Sequence, residues 1–126
     1  MVLLDASALI AMLYEEQGAD AVARHLDDAA MLTLNLEETV GKLLRDGLDV
    51  TTARTAIDAL GLDAVDFTAV MAWRSAELGR RLAAGLGLAD RACLGAASVL
   101  GVAVVTADTA WRDASRRCGV PVTVIR

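Results

Sequence analysis

Short apolar runs alternate with longer amphipathic stretches along the chain. Buried strands are predicted at Val2–Leu4, Met31–Leu34, Ala64–Phe67, Val102–Thr106 and Val122–Ile125. Helices are predicted between them, at Ser7–Tyr14, Ala19–Leu26, Asn35–Asp46, Val50–Leu60, Thr68–Ala84, Asp90–Leu100 and Thr109–Arg117. Strands that alternate with helices in this way indicate a parallel sheet covered on both faces. The pattern therefore predicts an α/β fold.

The composition suits one compact domain that spans residues 1–126. Of these 126 residues, 56% are hydrophobic and only 3% are aromatic, so the core must consist mainly of Ala, Leu and Val. The chain holds a single Pro and no Ser/Gly-rich run, which argues against a linker or a disordered segment. No internal repeat is visible.

Neither a secretory signal nor a membrane span is expected. The first residues, Met1–Asp5, lack a basic region and place an acid where an apolar stretch would have to continue. The longest uncharged run, Ala92–Ala107, is too short and too rich in Gly and Ala for a span. Cys93 and Cys118 match no metal-binding spacing, so we expect a cytoplasmic protein with two reduced thiols.

Charge is distributed unevenly along the chain. The net charge of −5 argues against a nucleic-acid partner, but residues 71–126 carry 8 basic and 4 acidic side chains, a local net charge of +4. Arginine binds phosphate bidentately, so an Arg-lined groove beside an acidic centre is compatible with RNA. Candidate phosphate contacts are Arg80, Arg81 and Arg112. Taken alone, these arginines are explained more simply as a solvated surface.

Four acids are predicted to approach one edge of the sheet. Asp5 ends the first strand, and Asp108 follows the Val102–Thr106 strand. Glu38 falls in the first turn of the helix after the second strand, and Asp90 opens a helix after a glycine loop. Ligands of open parallel sheets bind outside the carboxyl ends of the strands.

Carboxylates that lie this close repel one another, and a cation relieves the repulsion. Oxygen ligands without a His or Cys cluster suit Mg²⁺ or Mn²⁺ rather than zinc. Such a site would lower the pKa of a bound water and neutralise charge on a phosphodiester. The chemistry that the residues indicate is metal-assisted hydrolysis of a phosphate ester.

Purely structural roles explain each acid singly. Asp5 and Asp108 have the positions of helix N-caps, and Asn35 with Glu38 has the spacing of a capping box. Glu38 also lies opposite the apolar stripe of its helix, which predicts an exposed side chain. The residues alone leave both roles open.

Four segments resemble PIN-domain toxins of the VapC family. They are Val2-Leu3-Leu4-Asp5-Ala6-Ser7-Ala8-Leu9, Asn35-Leu36-Glu37-Glu38, Gly87-Leu88-Ala89-Asp90-Arg91-Ala92-Cys93-Leu94 and Val105-Thr106-Ala107-Asp108-Thr109-Ala110-Trp111. The third segment is the most specific, and the order and spacing of all four agree over essentially the whole chain. One departure is Ala89, where many members of the family have Gly.

The resemblance implies a PIN-like α/β/α sandwich and a Mg²⁺-dependent endoribonuclease that Mn²⁺ also supports. It implies a homodimer inhibited by a cognate VapB-like antitoxin. By the same resemblance, Asp5 and Asp90 bind the metal, Glu38 and Asp108 complete the acid cluster, and two hydroxyls donate hydrogen bonds to the acids. These hydroxyls belong to Ser7 and Thr106. Glu37 adds a further negative charge beside Glu38.

Other classes of function fit the residues less well. A phospho-acceptor receiver domain needs two adjacent early acids and a late Lys, but Lys42 lies in the wrong element. A haloacid-dehalogenase-type phosphotransferase needs a second Asp where Ser7 stands. A catalytically silent PIN-like protein that acts only through partner binding remains an alternative. The single histidine, His25, suits a structural position, and we expect both Trp73 and Trp111 to pack rather than to stack on bases.

Overall fold

The computed structural model describes residues 1–82 and 84–126. Within them lie five strands, β1 (Val2–Leu4), β2 (Ala29–Leu32), β3 (Asp63–Val65), β4 (Ala103–Thr106) and β5 (Val122–Val124). The α-helices of these residues are α1 (Ala6–Leu13), α2 (Ala19–Ala23), α3 (Thr33–Arg45), α4 (Val50–Asp58), α5 (Ala69–Gly79), α6 (Leu88–Leu100) and α7 (Ala114–Cys118). Two 3₁₀ helices span Leu26–Asp28 and Thr109–Asp113.

The strands form one parallel sheet in the order β3-β2-β1-β4-β5, so β1 is central. On one side, Val2 and Leu3 of β1 pair with β2; on the other, Val2 to Leu4 pair with β4. The sequential order is reversed at β1, because the chain adds β2 and β3 on one side and then crosses to add β4 and β5 on the other. This crossing places the switch point of the sheet, where ligands of such folds bind, at the end of β1.

Alternate residues of each central strand face opposite helical layers. Leu3 and Val104 pack into the core formed with α5, α6 and α7, whereas Leu4 and Val105 pack into the core formed with α1 to α4. Burial on both faces explains why the strands are continuous apolar runs rather than alternating ones. The α/β class and the sandwich architecture expected from the sequence are confirmed.

The boundary between β2 and α3 differs from the sequence prediction by two residues. The strand ends at Leu32 instead of Leu34, and α3 begins at Thr33. The apolar side chain of Leu34 belongs to the helix, where it packs against the α5–α6 core. A run of apolar residues does not show where a buried strand passes into a helix with the same burial.

Three other helices differ from the prediction by three residues or more. The helix expected over Ala19–Leu26 ends at Ala23 and is followed by the 3₁₀ helix Leu26–Asp28. The helix expected over Thr68–Ala84 ends at Gly79, and part of that prediction, Ala83, lies outside the described residues. The helix expected over Thr109–Arg117 divides into the 3₁₀ helix Thr109–Asp113 and α7. None of the helices in the described parts of the chain combines the length and apolar character that a membrane crossing requires.

Close packing of α5 against α6 depends on a glycine. A Cβ atom on Gly95 would lie 2.7 Å from both Cα and Cβ of Ser75 and 2.8 Å from its backbone nitrogen. These distances are shorter than any ordinary contact, and the Ser75 backbone cannot move without shifting α5. The α6 helix thus has a small residue where the two backbones meet.

Substituting this glycine tests the contact. We expect Gly95→Ala to lower the free energy of unfolding by about 1–3 kcal/mol, because the clash outweighs the better helix propensity of Ala. Gly41→Ala is the matched control, since its Cβ would meet only the ends of the Arg45 and Glu37 side chains, at 3.4 Å and 4.0 Å. It should raise the free energy of unfolding by about 0.5–1 kcal/mol. Urea denaturation measures both, and equal effects of the two substitutions would contradict the contact.

Candidate active site

Asp5 is a buried carboxylate at the end of the central strand. Its backbone N–H donates to the carbonyl of Val105 at 3.1 Å, so the pairing of β1 with β4 continues through this residue. Its Oδ1 accepts a hydrogen bond of 3.0 Å from the N–H of Ala8 and caps α1. Only 3% of the residue is exposed. Asp5 therefore has the cap role that the sequence allowed, at the switch point of the sheet.

Two hydroxyl groups connect Asp5 to the loop after β4. Ser7 Oγ lies 2.8 Å from Asp5 Oδ1 and 3.0 Å from Oδ2, and Thr106 Oγ1 donates to Oδ2 at 2.9 Å. Each hydroxyl also accepts a backbone N–H, Ser7 from Ala107 at 2.9 Å and Thr106 from Asp108 at 3.0 Å. Each hydroxyl accepts an N–H through an oxygen lone pair and has its own proton left to donate, and the Asp5 carboxylate lies within reach of both protons.

Burial nevertheless makes the ionised form of Asp5 costly. Desolvation raises its pKa from 3.8 to about 6, although the hydrogen bonds from Ala8, Ser7 and Thr106 act in the opposite direction. The negative charge of Asp90 raises the pKa further. An additional positive charge next to Asp5 would remove this cost.

Asp90 lies in the first turn of α6, close to the position expected from the sequence. Its Oδ2 accepts a hydrogen bond of 3.0 Å from the N–H of Gly87, which is the residue that caps α6. Partial burial raises the pKa of Asp90, the hydrogen bond lowers it, and the charge of Asp108 raises it. The loop forms this cap with Ala89 in place of the more common Gly.

Asp108 caps the 3₁₀ helix after β4, with Oδ1 accepting from the N–H of Ala110 at 2.9 Å. Glu38 comes from α3, and it lies in the second turn rather than in the first, because the helix begins at Thr33. Desolvation raises the pKa of Glu38, and the charges of Asp90 and Glu37 raise it further. Glu37 thus has an effect on the neighbouring acid, in the direction of a higher pKa.

The buried thiol of Cys93 lies within electrostatic range of several of the acids. Cys93 follows Asp90 by one turn of α6, and burial raises its pKa well above the usual range. The charges of three acids raise it as well, those of Asp5, Asp90 and Glu38. These acids come from three separate elements, and the fold brings each of them within electrostatic range of the Cys93 thiol. Both cysteines are free and buried.

The acid cluster fits a hard divalent cation by its chemistry. In the described residues, no three His, Cys, Asp or Glu side chains lie close enough together to share an ion. The candidate ligand atoms of the four acids are carboxylate oxygens. The pKa values of Asp5 and Asp90 are raised, and the negative charges of the acids repel one another. A cation relieves this repulsion, and Mg²⁺ and Mn²⁺ prefer oxygen. Cys93 stays protonated and is a poor ligand.

The structure changes the interpretation of one further polar residue, Asn35. Asn35 was a candidate for a capping box with Glu38, but Leu32 caps α3 and Asn35 lies inside its first turn. The Asn35 side chain is fully buried, and in the described residues neither atom of its amide has a partner with hydrogen-bond geometry. The amide is nevertheless close enough to Glu38 to lower the pKa of that acid. The periodicity of the sequence does not distinguish a buried asparagine from one that caps a helix. Only the observed start of α3 at Thr33 shows that Asn35 is not the cap.

The remaining candidate residues lie in varied positions. Trp111 is fully buried as expected, whereas the expectation that Trp73 packs is wrong, since 77% of it is exposed on α5. Arg80 and Arg81 line a separate cavity together with Glu77. Arg112 donates a hydrogen bond of 2.6 Å to the carbonyl of Arg126.

Comparison with known proteins identifies the family. The PIN domain family matches residues 2–117, nearly the whole chain. The chain belongs to the PIN domain family. PIN domains are generally nucleases that use divalent metal ions, which agrees with the acid cluster at the switch point. No curated protein sequence matches this PIN domain significantly.

Solved structures share the fold of this PIN domain. VapBC2 from Rickettsia felis, bound to a DNA fragment from the promoter, has a TM-score of 0.76 at 15% identity over 98% of each chain. DNA-bound VapBC from Salmonella typhimurium has a TM-score of 0.76 at 16% identity over 100% of each chain. FitAcB from Neisseria gonorrhoeae has a TM-score of 0.70 at 17% identity over 97% of this chain and 96% of that chain. At such identities the likeness shows a common fold.

The pH dependence of stability tests the burial of Asp5 in the metal-free protein. Its pKa is about 6 in the folded state and 3.8 ordinarily, so folding takes up a proton between these values. Above about pH 6, where Asp5 is ionised in the folded protein, its buried carboxylate destabilises the fold by the full amount. This destabilisation decreases as the pH falls from about 6 towards 3.8, because the folded protein takes up the proton first. In EDTA, we expect the stability of the wild type relative to Asp5→Asn to rise by up to about 3 kcal/mol between pH 7 and pH 4.

Urea denaturation of the two proteins at each pH measures this difference. The comparison with Asp5→Asn cancels the titration of the groups that both proteins contain. A difference that stays constant across the range would show that Asp5 titrates at its ordinary pKa and is not desolvated.

Proposed function

We propose that this PIN domain is a Mg²⁺-dependent endoribonuclease, with Mn²⁺ able to replace Mg²⁺. The observation that supports this most strongly is the buried carboxylate of Asp5, held by two hydroxyl groups and surrounded by the charges of other acids at the switch point of the sheet. A carboxylate with a raised pKa in a concave, acidic position is typical of a functional site rather than of a helix cap alone.

Asp5 and Asp90 are the proposed metal ligands, and Glu38 and Asp108 complete the acidic site. A divalent cation held by these residues would neutralise charge on the scissile phosphodiester and would lower the pKa of a water molecule. Glu38 is suited to hold the attacking water through a hydrogen bond, because its side chain is partly solvated and its pKa is raised.

Ser7 and Thr106 act as positioning residues. Both donate towards Asp5, and both accept an N–H from the loop that carries Asp108. This network couples the position of the Asp108 loop to that of the Asp5 carboxylate.

RNA as the substrate rests on the resemblance of the motifs to VapC toxins, and the fold shared with VapBC complexes supports a toxin of that class. The same support extends to the proposed biological role. We expect a cytoplasmic toxin of a type II toxin–antitoxin pair, a homodimer that a cognate VapB-like antitoxin inhibits.

Two exposed apolar surfaces of the described residues are available to these partners. One is a cavity of about 150 Å³ between α3 and α4 that is lined mainly by aliphatic residues, with Val50 at its rim. The other lies on α5 and α6, where Trp73, Val70 and Val99 are exposed. Apolar surface of this kind on a small domain indicates contact with protein partners.

Cleavage of a mixed RNA panel by the purified protein tests the nuclease. We expect cutting with Mg²⁺ or Mn²⁺, none in EDTA, and a rate at least about 100-fold lower for Asp5→Asn and Asp90→Asn, which remove proposed metal ligands. Ser7→Ala and Thr106→Val should lower the rate about 10–100-fold, since they remove only the support of a ligand. Product analysis by gel and circular dichroism of each variant provide the measurement.

Asp66→Asn is the matched control for these variants. Asp66 follows β3 at the same edge of the sheet, but its side chain is exposed and lies outside the proposed site. It should cleave at the wild-type rate. Full activity of a folded Asp90→Asn protein would refute the assignment of the site, and wild-type protein that cuts no RNA with either metal would favour a role through partner binding alone.

Expression in a bacterial host tests the toxin role separately. We expect the wild type to arrest growth and co-expression of a small protein encoded by an adjacent reading frame to relieve the arrest. Asp90→Asn should not arrest growth, yet it should still co-purify with that partner, because the substitution leaves the apolar surfaces intact. Growth arrest by Asp90→Asn would show that toxicity does not depend on nuclease activity.

A further inference from the structure

A pocket of about 270 Å³ opens beside the acid cluster, between α1 and α3. It has Ser7 and Glu38 on the side of the proposed active site. The other charged residues that line it are Glu16, Lys42, Arg45 and Arg126. We call it the α3 pocket. It combines three basic with two acidic side chains, a net of one positive charge next to a strongly acidic centre.

Two of its basic residues have partners within the protein. Lys42 lies 3.1 Å from Asp46 and 5.6 Å from the centre of the Tyr14 ring. Arg126 lies 2.9 Å from Glu16. These contacts hold the two cations at the walls of the pocket and offset part of their charge.

Arg45 is different, because it forms no ion pair with any residue that the structure describes. Its side chain is exposed and passes over Gly41, the Cα of which leaves room for it. An unpaired guanidinium at the mouth of a pocket is available to a ligand from solution. Its planar fork of donors matches two oxygens of a phosphate.

The position of Arg45 relative to Glu38 suggests what that ligand is. On α3, Lys42 follows Glu38 by four residues and Arg45 follows Lys42 by three, so the three side chains share one face of the helix. The rise of an α-helix places Lys42 about 6 Å and Arg45 about 10 Å along the axis from Glu38. A nucleic-acid strand whose scissile phosphate lies at the acid cluster has further phosphates at this range.

We infer that the α3 pocket binds a phosphate group of the RNA strand next to the scissile one, with Arg45 as its principal contact. The inference rests on the proposed nuclease function and adds a substrate subsite to it. It also differs from the sequence expectation, which sought phosphate contacts among the arginines of the second half of the chain. A positive subsite here offsets the repulsion between RNA and the acids and sets the direction in which the strand crosses the site.

Binding of a fluorescent single-stranded RNA of about 10 nucleotides, a length suited to one small domain, tests the subsite. Anisotropy is measured in the Asp90→Asn background with Mg²⁺, where cleavage does not interfere. We expect Arg45→Gln to raise Kd about tenfold and to lower the slope of log Kd against log salt by about 0.7, the share of one phosphate contact on a single strand. Arg45→Lys should have a smaller effect, because it keeps the charge and loses the fork.

Arg24→Gln is the matched control, because Arg24 is an exposed arginine at the C-terminal end of α2, outside the pocket. It should leave Kd and the salt slope unchanged. In the cleaving protein, Arg45→Gln should raise KM about tenfold with kcat within about twofold. Inorganic phosphate should compete only at far higher concentration than the RNA, since a strand has several contacts.

Three results would overturn the inference. They are an unchanged Kd for Arg45→Gln, an equal loss for Arg24→Gln, and a change confined to kcat or metal affinity with a constant salt slope. The last would mean that Arg45 acts only on Glu38. Wild-type protein that binds RNA through Arg45 but never cuts it would refute the nuclease and retain the subsite, whereas cleavage without dependence on Arg45 would do the opposite.

Discussion

The hydrogen bonds that converge on Asp5 are the constraint around which the site is arranged. A buried carboxylate without donors would be too costly for a domain of this size, and here one backbone N–H and two hydroxyls supply them. The donors come from α1 and from the end of β4, which are almost the whole chain apart in sequence. Pairing of β1 with β4 is therefore a condition for the ionised side chain, and the charge is retained only because the two strands are neighbours.

Helix capping and the proposed chemistry use the same side chains. Asp5 and Asp108 each accept a hydrogen bond from the backbone at a helix start, and Asp90 accepts one from the N-cap residue of its own helix. The structural interpretation of these acids is thus correct and does not exclude the functional one. A cap fixes an acid at the point where the strand or loop ends, which is also the edge where a substrate can reach it. Each cap leaves further oxygen lone pairs for a cation.

The charges around the site follow from the tertiary structure in a way that their order along the chain does not indicate. The excess of arginine in residues 71–126 suggested that phosphate contacts would come from that half. Arg80 and Arg81 instead lie beside Glu77, and Arg112 contacts a backbone carbonyl. The pocket next to the acids is lined by Lys42 and Arg45, which belong to the acidic first half of the chain. They lie there because they share one face of α3 with Glu38.

Much of the fold could be read from the sequence, since strand and helix periodicity and the parallel-sheet rule depend on neighbouring residues. The order of strands and helices, the acids at one sheet edge and the approximate positions of Asp5, Asp90 and Asp108 follow from those local patterns. The start of α3, the burial of Asn35 and the exposure of Trp73 could not be predicted. They depend on which distant surfaces pack against each helix. The strand order that places β1 between β2 and β4, and with it the network on Asp5, was likewise decided only by tertiary packing, because contacts between residues about a hundred positions apart leave no periodic trace in the chain.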